Sequence, residues 1–198
     1  MIPTDKDTTI DVHEEVVKAV EAFRMGKVVL YPTDTIWGLG CDMTNKSAVE
    51  QIYRIKERPR EQPLIVLVSD IQMLKKYVRL VHPRIETLLV HHNKPLTIIY
   101  DQLIDVPDYM KSPEGSLAIR VCQDEFCSDV IRKFGAPIVS TSANKSGSPT
   151  ADCFDQIDPQ IIEEADYVVG YGQDDKEPGM PSIIARYSKK GELIFIRE

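Results

Sequence analysis

The run Ser140-Thr141-Ser142-Ala143-Asn144-Lys145-Ser146-Gly147-Ser148-Pro149-Thr150 gathers hydroxyls, an amide and a lysine into one short stretch, directly after the apolar Ala136-Pro137-Ile138-Val139. A short apolar run is buried most cheaply as a strand, and the polar residues after it emerge at the strand's carboxyl end, where open α/β sheets hold ligands. Hydroxyls, amides and loosely held backbone N–H groups suit the oxygens of a phosphate or carboxylate. The same composition also suits a plain surface connection. A second polar cluster, Thr33-Asp34-Thr35, comes after Val28-Val29-Leu30-Tyr31 and Pro32, with Gly38 and Gly40 permitting close backbone approach. Lys56 and Arg58 stand just before Pro59 at the end of a helical pattern. There they either complement the helix dipole or form a polyphosphate clamp on an exposed rim, Arg58 by its planar fork and Lys56 as a point charge. Arg120 interrupts the apolar frame Ser116-Leu117-Ala118-Ile119-Arg120-Val121. Such a charge must snorkel, pair or meet an anionic ligand.

The elements that position these residues are legible in part. Val12, Val16, Val17, Val20 and Phe23 repeat at helical spacing over 12–24, opened by Asp11 with Glu14 in capping-box register and ended near Gly26. Residues 28–31 read as a central strand. A second helix opens with Ser47 and Glu50, runs through Val49, Ile52 and Ile55, and must stop before Pro59. Strands are expected at 64–68, 96–100, 116–121, 136–139 and 166–169, and helices at 71–78, 85–91 and 126–134. A final hairpin pairs 182–187 with 193–196 across Lys189-Lys190-Gly191. Helices interleaved with strands imply an α/β (α+β) chain with one twisted mixed sheet and flanking helices.

Composition narrows the function classes. A chain of 198 residues suits one domain spanning 1–198. The net charge of −7, with no basic tail or stripe, argues against tight non-specific nucleic-acid binding. No apolar run reaches the ~18 residues of a membrane helix, and the N-terminus lacks a basic, then apolar, leader, so cytoplasmic residence is the expectation. Cys41, Cys122, Cys127 and Cys153 form no CxxC pair and have no histidine at zinc-ligand spacing, so no metal site is expected. His13, His82, His91 and His92 stand beside none of the polar clusters.

Taken together, Tyr31-Pro32-Thr33-Asp34-Thr35 with Gly38-Leu39-Gly40, Lys56-Glu57-Arg58-Pro59 before Pro63-Leu64, Pro95-Leu96-Thr97, Ala118-Ile119-Arg120 and Ser140 to Gly147 resemble the YrdC-like family, the threonylcarbamoyl-AMP synthases. The resemblance covers about 11–197. It implies a YrdC-like fold with a concave pocket and a reaction in which L-threonine, bicarbonate and ATP, with Mg2+ on the phosphates, give threonylcarbamoyl-AMP and pyrophosphate for tRNA t6A37 modification. It further implies that Thr35, Arg120, Ser140 and Ser182 hold threonine. Lys56, Arg58, Ser142 and Asn144 would do the chemistry and, with Ser116, Thr150 and Arg197, bind ATP. A tRNA or a t6A transferase complex would be the partner, and no membrane. Several positions depart from the family pattern: Ile183 after Pro181-Ser182, Arg186 where an acid is common, Lys94, Cys122, Leu67 and Gln62. Those departures keep in view a YciO-type paralogue that has the nucleotide pocket but weak or different acceptor activity, and the resemblance adds a non-catalytic protein that binds structured RNA, as some family members do.

Overall fold

The computed structural model describes residues 10–92, 94–187 and 192–197. Among the described residues nine strands form one mixed sheet: β1 (Val29–Tyr31), β2 (Gly38–Asp42), β3 (Ile65–Val68), β4 (Leu96–Tyr100), β5 (Leu117–Val121), β6 (Ile138–Ser142), β7 (Tyr167–Val168), β8 (Ile183–Tyr187) and β9 (Leu193–Arg197). Their order across the sheet is β7-β1-β2-β6-β3-β5-β4-β8-β9. The pairs β1/β7, β3/β5 and β4/β8 are parallel and the remainder antiparallel. Six α-helices among the described residues accompany them: α1 (Val12–Arg24), α2 (Lys46–Ile55), α3 (Ile71–Tyr77), α4 (Pro83–His91), α5 (Glu125–Phe134) and α6 (Pro159–Glu164). The mixed sheet with flanking helices is the fold class expected from the sequence.

Side-chain alternation along the central strands separates the two faces. Val66 and Val68 of β3, Ile119 of β5, Ile98 of β4 and Val139 of β6 are buried to 2 % exposure or less in the core, where α1, α2, α3 and α5 pack on the strands. Their neighbours Ile65, Leu67, Ala118, Arg120, Ile99, Ser140 and Ser142 line a cavity. Cross-strand register brings Arg120 opposite both Leu67 and Thr97, and Ser140 opposite both Gly40 and Ile65. Arginine and hydroxyls from segments far apart in sequence thereby reach one concave surface.

Several expectations from the sequence need correction. Residues 29–31 form a strand that is not central: β1 lies one position in from an edge and is covered only by the short β7. The glycine-bearing stretch after Thr35 is not all turn, because Gly38–Asp42 is a strand held between β1 and β6. A pattern search for β-branched runs overlooks Gly-Leu-Gly-Cys-Asp. Helix α2 opens at Asn45, whose side chain accepts from Ala48 N at 3.2 Å, and not at Ser47. At α1, Asp11 does cap, accepting from His13 N, while Glu14 turns outward to Lys18 at 2.9 Å. Strand β6 runs on through Ser140, Thr141 and Ser142, so the polar run begins inside the sheet. Helix α6, which opens at Asp158 ahead of Pro159, is an element the periodicity did not reveal. The hairpin partners β8 and β9 are present, and their expected turn at 189–191 lies outside the described residues. Strand β9 forms the far edge of the sheet, with Ile194, Phe195 and Ile196 about half exposed.

Gly40 shows why β2 carries glycines. A Cβ there would lie 2.3 Å from Val139 O and 2.8 Å from the Tyr31 ring. Because the first obstacle is backbone of the paired strand, Gly40→Ala must pry β2 from β6. Its expected cost is about 2–3 kcal/mol, a typical overpacking penalty, readable as a lowered denaturation midpoint.

Candidate active site

The cavity measures about 300 Å³, at the lower end of the ~300–1,000 Å³ usual for small-molecule sites. Its walls carry Arg58, Arg120 and Arg197, the hydroxyls of Thr33, Thr35, Ser140, Thr141, Ser142, Thr150 and Ser182, and apolar surface from Trp37, Leu67 and Ile184. Of the residues singled out from the sequence, Thr35, Arg58, Arg120, Ser140, Ser142, Thr150, Ser182 and Arg197 line it. Lys56 and Asn144 stand directly behind Ser142. Ser116 stands apart: it is buried, shares a hydrogen bond with Ser112 Oγ at 2.9 Å and accepts one from Arg186 Nη2 at 3.3 Å.

Lys56 is not the exposed rim residue that the sequence suggested. It is 1 % exposed, and its Nζ donates to the carbonyls of Ser142 at 2.5 Å and Asn144 at 2.6 Å. Burial, and then repulsion from Arg58, pulls its pKa from 10.5 to about 7. The backbone enforces the inward turn. Helix α2 has its C-cap at Lys56, and Glu57 comes next with φ of +50°, a left-handed position where glycine is usual. The carboxylate of Glu57 is met by Lys145 at 3.1 Å. Lys56 O also accepts from Ser146 N at 2.8 Å, so main chain and side chain of one residue both fasten the loop after β6. Within that loop Ser142 Oγ donates to Asn144 Oδ1 at 2.5 Å, and Asn144 Nδ2 donates to Ser148 O at 2.7 Å.

Arg58, two residues on, turns the other way. It is half-buried against the cavity, donating Nε to Gln62 O at 3.0 Å and Nη2 to Pro63 O at 3.2 Å. Desolvation lowers its pKa, with Tyr53 opposing. Arg197, near the end of β9, donates Nε and Nη2 to Ser182 O at 3.1 and 2.7 Å. Its pKa is lowered by burial and by the nearby charge of Arg120.

Arg120 is 5 % exposed. Its Nη1 donates to Thr35 Oγ1 at 3.0 Å, and its Nη2 stands 3.1 Å from Asp34 Oδ1. Of the three fates open to that arginine in the sequence, the structure therefore shows pairing, on the wall of a cavity that has room for an anion as well. The loop 32–37 supplies both partners. Thr33 Oγ1 donates to Ile36 O at 2.7 Å, accepts from Thr35 N at 3.1 Å, and lies 2.8 Å from Thr35 Oγ1. From outside, Gly179 presses on this turn so closely that a Cβ would fall 1.8 Å from Thr35 O. The sequence marks Thr33, Asp34 and Thr35 as two hydroxyls and a carboxylate beyond a strand, without giving Thr33, Asp34 or Trp37 a role in the site. Their signal, a polar turn directly after a buried strand, was visible, but its partner lies 85 residues away.

A cavity walled by three arginines and a ring of hydroxyls has the chemistry to receive polyanions and carboxylates. The family model Sua5_yciO_yrdC, described as telomere recombination, matches residues 21–198. The chain belongs to the Sua5/YciO/YrdC family. A threonylcarbamoyl-AMP synthase of Xanthomonas euvesicatoria is 34% identical over 155 residues, 77% of this chain and 83% of that protein. One of Stenotrophomonas maltophilia is 30% identical over 167 residues, 83% of this chain and 87% of its own length. Crystal structures share the fold. E. coli YciO superposes with a TM-score of 0.80 at 23% identity, covering 95% of this chain and 90% of that one. P. abyssi Sua5 complexed with L-threonine gives 0.75 at 24% identity, covering 89% of this chain and 52% of that one, so the chain spans about half of Sua5.

The Lys56 geometry fixes the sign of a pH effect. A lysine whose folded pKa is about 7 against 10.5 unfolded binds fewer protons folded than unfolded between those values, so its contribution to stability rises with pH across that window. Below about pH 7 the cost of burying the ammonium is fully present. Raising the pH from about 7 to about 9 is expected to add about 2 kcal/mol of unfolding free energy to the wild type from this group. Lys56→Met lacks that increment, and denaturant titrations of both proteins at the two pH values check it.

Proposed function

We propose that this chain is an L-threonylcarbamoyladenylate synthase, a nucleotidyltransferase forming threonylcarbamoyl-AMP and pyrophosphate from L-threonine, bicarbonate and ATP for tRNA t6A37 modification. The observation that carries the reading is the convergence of Arg58, Arg120 and Arg197 with the hydroxyls of Ser140, Ser142 and Ser182 on one cavity. Two relatives of comparable length, 30% and 34% identical, carry the synthase name. The reading treats 1–198 as one domain. Because ATP and tRNA are intracellular, cytoplasmic residence goes with it, and no helix among the described residues is long and apolar enough to cross a membrane.

In this scheme the threonine nitrogen condenses with bicarbonate, losing water, to give N-carboxy-threonine. An oxygen of the new carboxylate then attacks the α-phosphorus of ATP while the bond to the β-phosphate oxygen breaks and pyrophosphate departs. Charge accumulates on phosphoryl oxygens, so the protein's task is to supply fixed cations, N–H and O–H donors and alignment. Arg120 takes the threonine carboxylate, with Thr35, Ser140 and Ser182 around the amino acid. Arg58, Arg197, Ser142 and Thr150 take the nucleotide. Lys56 and Asn144 act one step back, holding Ser142 and the loop after it. Among the described residues no group of three or more His, Cys, Asp or Glu is suited to a metal, so Mg2+ would arrive on the nucleotide's own phosphates and not in a protein cage. The adenylate is handed to a t6A transferase complex. The net charge of −7 gives tRNA itself little to hold.

A YciO-type activity, with ATP bound and a different acceptor, is the second reading, favoured by the high mutual coverage with E. coli YciO. Pyrophosphate release separates the two. The synthase reading expects release from ATP to depend on both threonine and bicarbonate, whereas ATP binding with no threonine dependence favours the paralogue. Arg58 donates only to nearby carbonyls, so Arg58→Ala is expected to keep its melting temperature while losing about 100-fold in turnover, as for one lost transition-state donor. Arg120→Lys keeps a cation beside Asp34 but loses the fork. It is expected to raise KM for threonine about tenfold or more while ATP use changes less, and an unaltered threonine KM would remove Arg120 from the site.

A further inference from the structure

The arginines of the cavity are not equivalent in charge. Arg58 and Arg197 donate to backbone carbonyls, and neither has a carboxylate at ion-pair distance among the described residues. Each presents a whole positive charge. Arg120 instead faces Asp34, their side chains only 6% and 11% exposed. Neither Asp34 oxygen accepts a hydrogen bond, and Arg120 Nε is buried without a partner, so charge and not donor alignment holds this pair. Burial, opposed by hydrogen bonds from Cys127, raises the carboxyl of Asp124, the N-cap of α5, and the like charge of Asp34 adds to that rise.

We propose that Asp34 is a specificity-determining residue that neutralises Arg120 and makes its end of the cavity a subsite for zwitterions, leaving the Arg58 and Arg197 end for polyanions. The inference rests on the proposed function, in which a threonine carboxylate sits on Arg120. A carboxylate arriving at the part of the Arg120 guanidinium that faces the cavity enters the field of Asp34 too. A plain carboxylate leaves two anions sharing one cation in a poorly solvated space, and that is costly. An amino acid brings an ammonium on the adjacent carbon, and neutrality is restored through space without contact with Asp34. Phosphate groups are turned away from this end by the same field. Selection thus operates against the wrong ligand as well as for the right one.

The test compares L-threonine with 3-hydroxybutyrate, which is threonine without its amine, by calorimetry on the full chain in the presence of a non-hydrolysable ATP analogue. The wild type is expected to bind threonine about tenfold tighter or more, and Asp34→Asn to narrow that ratio to about threefold or less, because the released Arg120 now welcomes the plain acid. A purely structural Asp34 would weaken both ligands together and leave the ratio unchanged, and that result overturns the proposal. Should Asp34→Asn not fold, the wild type alone decides, since equal affinity for the two ligands also overturns it. Wild type that binds neither ligand removes the threonine reading itself and this inference with it, whereas tight threonine binding with an unchanged ratio removes the inference alone.

Discussion

A buried lysine side chain caged by backbone carbonyls is the interaction on which the rest of this site depends. Lys56 Nζ donates to Asn144 O and shares Ser142 O with Asn144 N, and a buried carbonyl without a partner costs about 1–3 kcal/mol. While its carbonyl points back toward Lys56, the Ser142 side chain faces the cavity, with its Oγ donating to Asn144 Oδ1. Helix α2, the loop after β6 and the left-handed Glu57 are therefore one device. Arg58 reaches the cavity wall because the chain has already turned Lys56 inward.

Much of this architecture could be read from the sequence, for reasons that differ by element. The strands at 65–68, 96–100 and 117–121 are β-branched runs whose burial needs no partner to be inferred. Helix α5 is legible from its own apolar stripe. The features that eluded local reading are those that tertiary pairing decides. Gly38–Asp42 is a strand because two neighbours supply its hydrogen bonds, although its residues are poor strand formers. Lys56 lies in a stretch that looks solvated, and only oxygens 86 and 88 residues further along the chain make its burial tolerable. Arg120 announced a need for an anion without saying whether protein or ligand would supply it.

The site also explains how sequence departures can coexist with a shared fold. Ile183 points away from the cavity-lining Ser182 and Ile184 by strand alternation, so its side chain does not displace the hydroxyl of Ser182, which remains 2.9 Å from Thr97 Oγ1. Leu67 is wholly buried in the floor beside Arg120, contributing shape and no polar contact. Arg186 is tied toward Ser116, outside the cavity lining. The arginine and hydroxyl framework thus stands independently of the side chains of Ile183 and Arg186.

Strand β9 is the outermost strand at its edge of the sheet, with apolar residues about half exposed, yet it carries Arg197 into the cavity. Its hold on Ser182 O links the sheet's edge to the cavity wall. A bound nucleotide engaging that guanidinium would act as a clasp on the margin of the sheet, so ligand occupancy and fraying of the final strand are thermodynamically coupled. Slowed amide exchange along the terminal strand would then report an event centred on the phosphates.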